Sequence, residues 1–365
     1  MYIKNLSLKD YRNYDSLNVD FDKNVNIIIG NNAQGKTNLI ESLYVTSFGK
    51  SFRTNRDSEL VKFDKDFAKI NIEAEKEYFD TTVEVLIKKD SKKSVKKDGA
   101  TVRKTSELLK NIFIVSFSPE DLKIVKEDPE KRRKFIDREL CQIKPLYYEC
   151  LSNYKKTLLQ RNMYLKEEHI EKSILDIWDM QLARYGSKLI SMRKSFIEKL
   201  SDFSSKIHGS ITDGKEILHI EYNPNVDFVE DEKELELKFY DGIKNAYRND
   251  LRMRTTTKGP HKDDISFYAN GINMRSFGSQ GQQRTCALSI KLAELDLIKE
   301  ETGEDAILLL DDVMSELDIN RQRFLIKTLQ KNQIFVTATD IDDRVLENFP
   351  EAKIIKIEKG KIENK

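Results

Sequence analysis

Hydrophobic and polar residues alternate along the first stretch of the chain, and the spacing then lengthens. Apolar residues at roughly every second position between residues 2 and 21 predict short half-buried strands. The β-branched run Val25–Ile29 predicts a buried strand, and residues 38–48 have the spacing of a helix. The alternation returns between residues 70 and 87, and Asp98-Gly99 predicts a hairpin turn. The N-terminal part therefore predicts a strand, a loop and a helix, followed by a small antiparallel sheet.

The middle of the chain, from about residue 116 to residue 208, has a helical pattern. Its clearest feature is a stripe of apolar residues at steps of three and four: Trp178, Leu182, Tyr185, Leu189, Met192, Phe196, Leu200, Phe203 and Ile207. The stripe predicts a long amphipathic helix that packs within a helical lobe, in a hairpin with residues 146–165. A dimerising coiled coil is the alternative, but it normally sustains its heptads further.

The remaining segments alternate between strands and helices. Residues 218–222 predict a strand, residues 232–254 a helix, and residues 265–277 a hairpin turned at Asn270-Gly271. Towards the C-terminus, predicted helices at 285–300 and 319–330 alternate with predicted strands at 306–310, 334–337 and 354–362. Such alternation predicts a parallel sheet covered by helices, and hence an α/β fold.

Composition narrows the class of protein. The 365 residues include 63 Lys and Arg against 62 Asp and Glu, a formal net charge of +1, and 39% are hydrophobic, enough for a core. No apolar run approaches the ~20 residues of a membrane helix, and the charged N-terminus does not fit a signal peptide. Three cysteines without zinc-ligand spacing favour a cytoplasmic location. The near-neutral charge predicts that any binding of nucleic acid rests on local patches.

A glycine-rich sequence follows the predicted strand Val25–Ile29 and opens the next helix. It consists of Gly30, Asn31, Asn32, Ala33, Gln34, Gly35, Lys36 and Thr37, and it fits the phosphate-loop pattern of Gly, four residues, Gly-Lys-Ser/Thr. The glycines let backbone N–H groups point at phosphate oxygens, and the helix dipole adds to the attraction. We expect Lys36 to bind the β and γ phosphates and Thr37 to bind Mg²⁺.

A nucleotide site of this kind also needs a carboxylate for the metal. The buried strand predicted at 306–310 ends in Asp311 and Asp312. We expect Asp311 to hold Mg²⁺ and Asp312 to orient or deprotonate the attacking water. Two aspartates after an apolar strand are common by themselves, but together with the phosphate loop they predict an ATP-hydrolysing site in which Lys36, Asp311 and Asp312 are the catalytic residues.

A third motif, Ser279-Gln280-Gly281-Gln282-Gln283, opens a predicted helix ahead of the Asp311 strand. Ser, Gly and polar amides at a helix N-terminus suit an anion, although this signal is weak alone. With Ser315-Glu316-Leu317-Asp318 after Asp312, the order of motifs resembles ABC-type ATPases, with their signature motif, Walker B strand and D-loop. In that family the signature motif of one subunit completes the ATP site of another. The resemblance therefore implies an ATP-dependent homodimer in which Ser279, Gly281 and Gln282 contact the nucleotide.

Five further motifs resemble the RecF family of bacterial recombination and replication-repair ATPases. They are the segments 8–14 (LKDYRNY), 117–122 (FSPEDL), 128–137 (DPEKRRKFID), 259–264 (GPHKDD) and 310–318 (LDDVMSELD). The resemblance spans nearly the whole chain and implies an ABC-type head like that of SMC proteins. Residues 1–115 and 285–365 would form the ATP-binding lobe, with a parallel sheet and a small antiparallel β subdomain. Residues 116–284 would form an inserted, mainly helical lobe that ends in the signature motif.

The resemblance also implies a function. We expect a weak, DNA-stimulated ATPase of recombinational repair, replication restart and the SOS response, which pairs on ATP and closes on duplex DNA beside single-strand gaps. RecR, with RecO, would be its partner in loading RecA. An ABC transporter subunit is a rival, but Gly30 and Ser279 lie 279 − 30 = 249 positions apart, far wider than in transporter subunits. A non-catalytic scaffold held by nucleotide is the other rival.

Some positions depart from the ABC pattern. Asp312 stands where most ABC ATPases have Glu, and RecF proteins share this Asp. The aspartate side chain is shorter than that of glutamate by roughly 1.5 Å, which predicts slow hydrolysis. The switch histidine is missing, so Thr337 or Thr339 would contact the γ phosphate or the lytic water. No glutamine occurs at 116–122, where a Q-loop is expected.

The predicted nucleotide-binding residues also include Arg12, Asn13 and Asn38.

Local basic patches are the candidate DNA contacts. Residues 86–110 carry nine Lys and Arg against three Asp and Glu, a local charge of 9 − 3 = +6. The proposed contacts are Lys92, Lys93, Lys96 and Lys97 of this hairpin, Arg132 and Arg133, and the helical set Lys244, Arg248 and Arg252. Without interleaved aromatic residues, contact with the duplex backbone is favoured over single-strand stacking. The alternative is that the hairpin is merely solvated and binds no DNA.

His261 follows Gly-Pro without an identifiable acid-base partner, and such a lone histidine is more often structural than catalytic.

Overall fold

The computed structural model describes residues 1–329, 331–339 and 351–363. Its strands are β1 (Tyr2–Tyr11), β2 (Tyr14–Asp20), β3 (Val25–Ile29), β4 (Phe67–Glu75), β5 (Asp80–Lys88), β6 (Ser91–Lys97), β7 (Ala100–Thr101), β8 (Ile114–Phe117), β9 (Leu218–Asn223), β10 (Asp264–Ala269), β11 (Ile272–Asn273), β12 (Ile307–Asp311), β13 (Ile334–Ala338), β14 (Lys353–Glu358) and β15 (Lys361–Ile362). Its α-helices are α1 (Lys36–Phe48), α2 (Thr105–Leu109), α3 (Pro129–Ile143), α4 (Pro145–Tyr164), α5 (Lys172–Ile211), α6 (Glu232–Met253), α7 (Met274–Phe277), α8 (Gln280–Thr302) and α9 (Ile319–Thr328). Short 3-10 helices lie at Asp57–Leu60, Asp121–Lys123, Pro260–Lys262 and Met314–Glu316.

The chain divides into two compact units, one formed by residues 1–122 and 294–365 and the other by residues 123–293. The lobes predicted from the sequence have their boundaries at 115/116 and 284/285. The first predicted boundary falls inside β8, which belongs to the parallel sheet of the first unit. The second falls within α8, which contributes residues to both units. The assignment of ATP binding to the first unit stays a prediction.

The first unit contains two sheets. The antiparallel sheet has the order β2-β1-β4-β5-β6-β7, and the other has the order β15-β14-β3-β13-β12-β8, with parallel pairing from β14 through β8. Helix α1 contacts β4 and β5 of the first sheet and β8, β12 and β13 of the second. Because it is covered from both sides, α1 buries polar as well as apolar residues, among them Glu41 and Ser42. The predicted parallel sheet and the small antiparallel sheet are thus confirmed.

The second unit is built around α5. This helix has 40 residues and contacts α4, α6 and β9, so its apolar stripe packs within the unit as predicted. Strands β9, β10 and β11 form an antiparallel sheet. Across the described residues, every helix is too short or too polar to span a bilayer.

One predicted hairpin is partly wrong. The strand pair turned at Asn270-Gly271 ends at Asn273, and residues 274–277 form α7 instead of extending the strand. The cause is local: the Asn273 side chain accepts hydrogen bonds from the backbone N–H groups of Arg275 and Ser276, which caps a helix at this point. The other predicted elements agree with the structure to within a few residues, although the last residue of the predicted helix 319–330, Gln330, lies outside the described residues.

Candidate functional site

The phosphate loop joins the end of β3 to the start of α1, as predicted. Gly30 and Gly35 have φ angles of 154° and 122°, which residues with a Cβ rarely adopt. A Cβ added to Gly30 would lie 2.3 Å from the carbonyl oxygen of Ile357, and one on Gly35 would lie 2.7 Å from Asn13 Nδ2. Both glycines are therefore required by backbone angle and by space.

Side chains from the first hairpin support the loop from outside. Asn13 Nδ2 donates to the carbonyl oxygen of Gln34 at 2.8 Å, and Asn13 Oδ1 accepts from Asn38 Nδ2 at 2.8 Å. The Tyr14 hydroxyl donates to the carbonyl oxygen of Gly35 at 2.9 Å. Asn13 and Asn38, predicted to bind nucleotide, thus hold the loop to α1 and to the β1–β2 turn.

Lys36 closes across the loop that precedes it. Its ammonium donates to the carbonyl oxygens of Gly30 at 2.6 Å and Asn31 at 3.0 Å, and the side chain is almost buried. Burial lowers the pKa of Lys36, while the carboxylates of Asp312 and Asp311 act in the opposite direction. A bound phosphate would compete with the two carbonyls for this ammonium group.

The predicted metal ligands lie together. Thr37 Oγ1 donates to Asp311 Oδ1 at 3.1 Å, although the two residues are far apart in the chain. Burial raises the pKa of Asp311, and hydrogen bonds from Thr337 and Thr37 lower it. A hydroxyl and a carboxylate at hydrogen-bonding distance are the oxygen ligands that Mg²⁺ prefers, so these residues fit the ion implied by the phosphate-loop motif.

Thr337 connects the two aspartates. Strands β12 and β13 place it directly opposite Asp311, and its hydroxyl donates to Asp311 Oδ1 at 2.9 Å. The same hydroxyl oxygen accepts from the backbone N–H of Asp312 at 2.9 Å, and the residue is 2% exposed. Asp312 itself is exposed and has a left-handed φ of 57°. Of the two threonines considered as replacements for the switch histidine, Thr337 is thus occupied within the protein, whereas Thr339 is exposed.

Two arginines lie near this site, and one of them was not predicted. Arg12 donates to both carboxylate oxygens of the buried Glu41, at 2.8 Å and 2.6 Å, so its guanidinium is tied to α1, and its contact with nucleotide stays a prediction. Arg53 donates to Asn38 Oδ1 at 2.8 Å, remains 45% exposed, and lowers the pKa of Asp311 together with the threonines. Arg53 belongs to no phosphate-binding motif, so its position became apparent only in the fold.

Comparisons with known proteins agree with this geometry. Residues 2–363 match the RecF/RecN/SMC N-terminal domain family. The DNA replication and repair protein RecF of Clostridium perfringens is 44% identical over 363 residues, covering 100% of both chains. The chain belongs to the RecF family. A solved structure of RecF with ATP, described as a recombination mediator of the RecFOR pathway, superposes with a TM-score of 0.91 at 36% identity, covering 99% of this chain and 97% of that one.

Membership of the RecF family assigns the chain to DNA replication and repair and gives it an ATP-binding head of the ABC type. The head domain of Smc bound to the C-terminal winged-helix domain of ScpA has the same fold, with a TM-score of 0.57 at 16% identity over 100% of this chain and 96% of that one. The fold predicted from the motifs is confirmed.

In this RecF-family chain the signature motif begins α8. Ser279 N–H donates to Gln282 Oε1 at 2.9 Å, and Gln282 N–H donates to Ser279 Oγ at 3.2 Å, which is a reciprocal capping box. Gln282 also donates to Glu216 Oε1 at 2.8 Å. Ser279 is exposed, and Phe277 just before it is 77% exposed. The motif is therefore ordered by its own side chains and lies at the surface of its unit.

The candidate DNA contacts fall into different environments. Lys92 and Lys96 are exposed on β6, whereas Lys93 and Lys97 are half-buried, as strand alternation requires. On α6, Lys244, Arg248 and Arg252 are all exposed, and Lys244 pairs with Asp176.

Arg132 does not fit the predicted DNA role. Its side chain is 1% exposed and donates to both carboxylate oxygens of Asp264, at 2.6 Å and 2.8 Å. Arg133 donates to the carbonyl oxygen of Asp263 at 2.7 Å and is only half-exposed. Segments 128–137 and 259–264, two of the RecF-family motifs, are thus joined to each other by hydrogen bonds, and we exclude Arg132 from the DNA-binding set.

His261 has a structural role in this network. Its Nε2 lies 2.9 Å from the carbonyl oxygen of Thr256, which can only accept, so Nε2 carries the proton and Nδ1 accepts from the Tyr154 hydroxyl at 2.7 Å. Burial lowers the pKa of His261 to about 4. The imidazole is therefore neutral. Its Nε2 bond closes the segment 256–261 on itself, and its Nδ1 bond ties the segment to α4.

Proposed function

We propose that the chain binds ATP with Mg²⁺, that ATP makes two copies pair, and that the pair closes on duplex DNA beside single-strand gaps until slow hydrolysis releases it. One observation carries the proposal: the hydrogen bond from Thr37 to Asp311 brings the phosphate loop and the carboxylate-ended strand together. The RecF–ATP structure, at 36% identity, supports ATP as the nucleotide.

The roles of the residues follow from their positions. Lys36 would exchange its loop carbonyls for the β and γ phosphates, and the exposed Arg53 would add a second positive charge. Thr37 and Asp311 would hold Mg²⁺, which when bound neutralises charge on the phosphates. Asp312 would accept a proton from the attacking water. Its side chain is roughly 1.5 Å shorter than that of glutamate, so slow hydrolysis and a timing role are expected.

The second copy would complete the site. Ser279, Gly281 and Gln282 lie at the N-terminal end of α8, where backbone N–H groups and the helix dipole favour an anion. Ser279 is exposed, so the γ phosphate of a nucleotide held by another copy can approach it. Pairing would therefore require ATP and would be lost after hydrolysis.

The working partners would be those of the RecFOR pathway. The solved RecF structures are described as recombination mediators of that pathway. By this likeness we propose that RecR, with RecO, acts with the chain, and that together they help to load RecA onto single-stranded DNA.

The test is sedimentation of the full chain with ATP, ADP or no nucleotide, with and without a gapped duplex. Pairing and DNA retention should appear with ATP only. Lys36→Arg should abolish both, because the longer, planar guanidinium does not fit between the loop carbonyls. Lys23→Arg, at an exposed position, is the matched control. If Lys36→Arg pairs and retains DNA like the unaltered chain, the switch fails and the scaffold rival stands.

A further inference from the structure

The antiparallel sheet of the first unit leaves one face open to solvent. In β4 and β5 every second residue is buried, including Ile70, Ile72, Val83 and Val85. The residues between them are exposed or half-exposed, so they form the opposite face.

The pairing register collects lysines at one end of this open face. Lys9 of β1 lies opposite Lys69 of β4, Lys88 of β5 lies opposite Phe67, and Lys96 of β6 lies opposite Glu84. We call Lys9, Lys69, Lys88 and Lys96 the lysine face. No sequence segment contains all four, so only the register shows them as one group.

The lysine face has a net positive charge although some of its lysines are paired. A Glu84 carboxylate oxygen lies 2.6 Å from Lys69 Nζ, and the other lies 3.8 Å from Lys96 Nζ. The four lysines and this one glutamate have a summed charge of 4 − 1 = +3. Lys92, exposed beside a bulge in β6, adds to the rim. The flanking turns carry Lys65 and Lys89 against Asp66 and Asp90, which cancel.

The other end of the same face is acidic. Its outward positions include Asp20, Glu73, Glu75 and Asp80, against Lys4, which pairs with Glu75 and Asp80. A polyanion would be attracted to the lysine face and repelled from this end, so the charge pattern gives a binding site with a defined border.

We infer that the lysine face binds the phosphate backbone of duplex DNA, an inference that rests on the proposed function. Lys9 and Lys96 lie three strand spacings apart, roughly 14 Å, comparable to the ~12 Å width of the major groove. The face can therefore contact phosphates on both strands.

Two further observations show which contacts this face can make and which lysines belong to it. Lys9 Nζ lies over the Phe67 ring, 5.6 Å from its centroid, so the ring face that Lys9 covers is not open for a base to stack on. On the other side of β6, Lys93 donates to both carboxylate oxygens of Asp57, at 2.9 Å and 2.7 Å. Of the four hairpin lysines predicted to bind DNA, we therefore assign Lys96, with Lys92 at the rim, and exclude Lys93 and Lys97, which lie on the other side.

The test compares charge removal on the two sides of the sheet. Lys9→Gln/Lys88→Gln removes two charges from the lysine face, and Lys93→Gln/Lys97→Gln removes two from the other side. Binding of each full chain to a fluorescent duplex is measured by anisotropy with a non-hydrolysable ATP analogue, from about 50 to 200 mM salt. Losing two phosphate contacts should lower the salt slope by about 2, so the Lys9/Lys88 variant should lose about tenfold less affinity over this range than the unaltered chain. Nucleotide binding and thermal unfolding check that both variants are folded.

The outcomes separate the inference from the proposed function. A smaller slope for Lys9/Lys88 with a near-normal slope for Lys93/Lys97 supports the lysine face. If the two double variants change the salt slope equally, or if Lys9→Gln/Lys88→Gln leaves it unchanged, the inference about the lysine face is overturned, while the proposed binding of DNA stands. Competition by poly-glutamate as effective as that by duplex would assign the face to acidic protein segments and also overturn it. If the unaltered chain binds no duplex in any nucleotide state, the proposed DNA function itself fails.

Discussion

Thr337 lies opposite Asp311 in neighbouring parallel strands, and its buried hydroxyl donates to the Asp311 carboxylate at 2.9 Å. The same hydroxyl accepts the backbone N–H of Asp312. One side chain therefore sets the rotamer of the proposed metal ligand and the backbone of the proposed catalytic carboxylate. We assign Thr337 a positioning role, because its one hydroxyl proton is already donated to Asp311.

Thr337→Val should slow hydrolysis by about tenfold or more and leave ATP affinity within about threefold. Valine keeps the shape of threonine but leaves the partly buried Asp311 carboxylate and the Asp312 backbone N–H each without one hydrogen bond. Single-turnover hydrolysis, fluorescent-nucleotide titration and the Mg²⁺ concentration for half-saturation measure the effect. Thr337→Ser should restore the rate, and Thr101→Val, at an exposed strand position outside the site, is the matched control. Normal turnover and an unchanged Mg²⁺ requirement in Thr337→Val would show that the hydroxyl does not position the aspartates.

Ser279→Arg should retain nucleotide binding by the single chain and abolish ATP-dependent pairing. The large side chain would occupy the surface where the proposed second copy delivers its nucleotide. Losing the capping hydroxyl costs only about 1 kcal/mol, so the unit should stay folded. Sedimentation velocity and nucleotide titration measure the two properties, with Ser279→Thr as the control that keeps the cap. A fall in the ATP affinity of the unpaired chain would place Ser279 in its own nucleotide site and contradict the composite site.

The sequence was sufficient for the parts of the site that are local. Gly30 to Thr37 form one turn between one strand and one helix, so spacing alone predicted their arrangement. Asp311 was recognisable because an apolar strand ends there. These features depend on neighbouring residues and are encoded by short patterns.

Features that depend on register and burial were not predictable. The pairing of β12 with β13, and not any motif, places Thr337 against Asp311. Lys92 and Lys96 are exposed, whereas Lys93 and Lys97 are half-buried, because a strand turns alternate residues to opposite faces. Arg132 lies in a basic run, yet the fold buries it against Asp264, more than a hundred residues away in the chain.

Arg132→Gln should destabilise the second unit without changing the salt dependence of DNA binding. The change leaves Asp264 without its bidentate partner, and about 2 kcal/mol is expected since Asp264 is partly exposed. Urea unfolding followed by the fluorescence of Trp178, the single tryptophan, reports on this unit. Arg248→Gln removes the same charge from an exposed position and should leave stability unchanged. A flatter salt slope in Arg132→Gln than in the unaltered chain would return Arg132 to the DNA-binding set.

His261 should make the second unit less stable as the pH falls. Its pKa is about 4 in the folded chain, against about 6.5 when unfolded. Between these values the unfolded chain binds a proton that the folded chain does not, so the free energy of unfolding decreases as the pH drops from about 6.5 to about 4, by about 3 kcal/mol at most. His261→Asn should therefore flatten the pH dependence by up to about 1.4 kcal/mol per pH unit, measured by urea unfolding with Trp178 fluorescence. His169→Asn, at an exposed histidine of the same unit, is the matched control. Equal slopes in His261→Asn and the unaltered chain would mean that His261 titrates alike in both states, contrary to its burial between Tyr154 and Thr256.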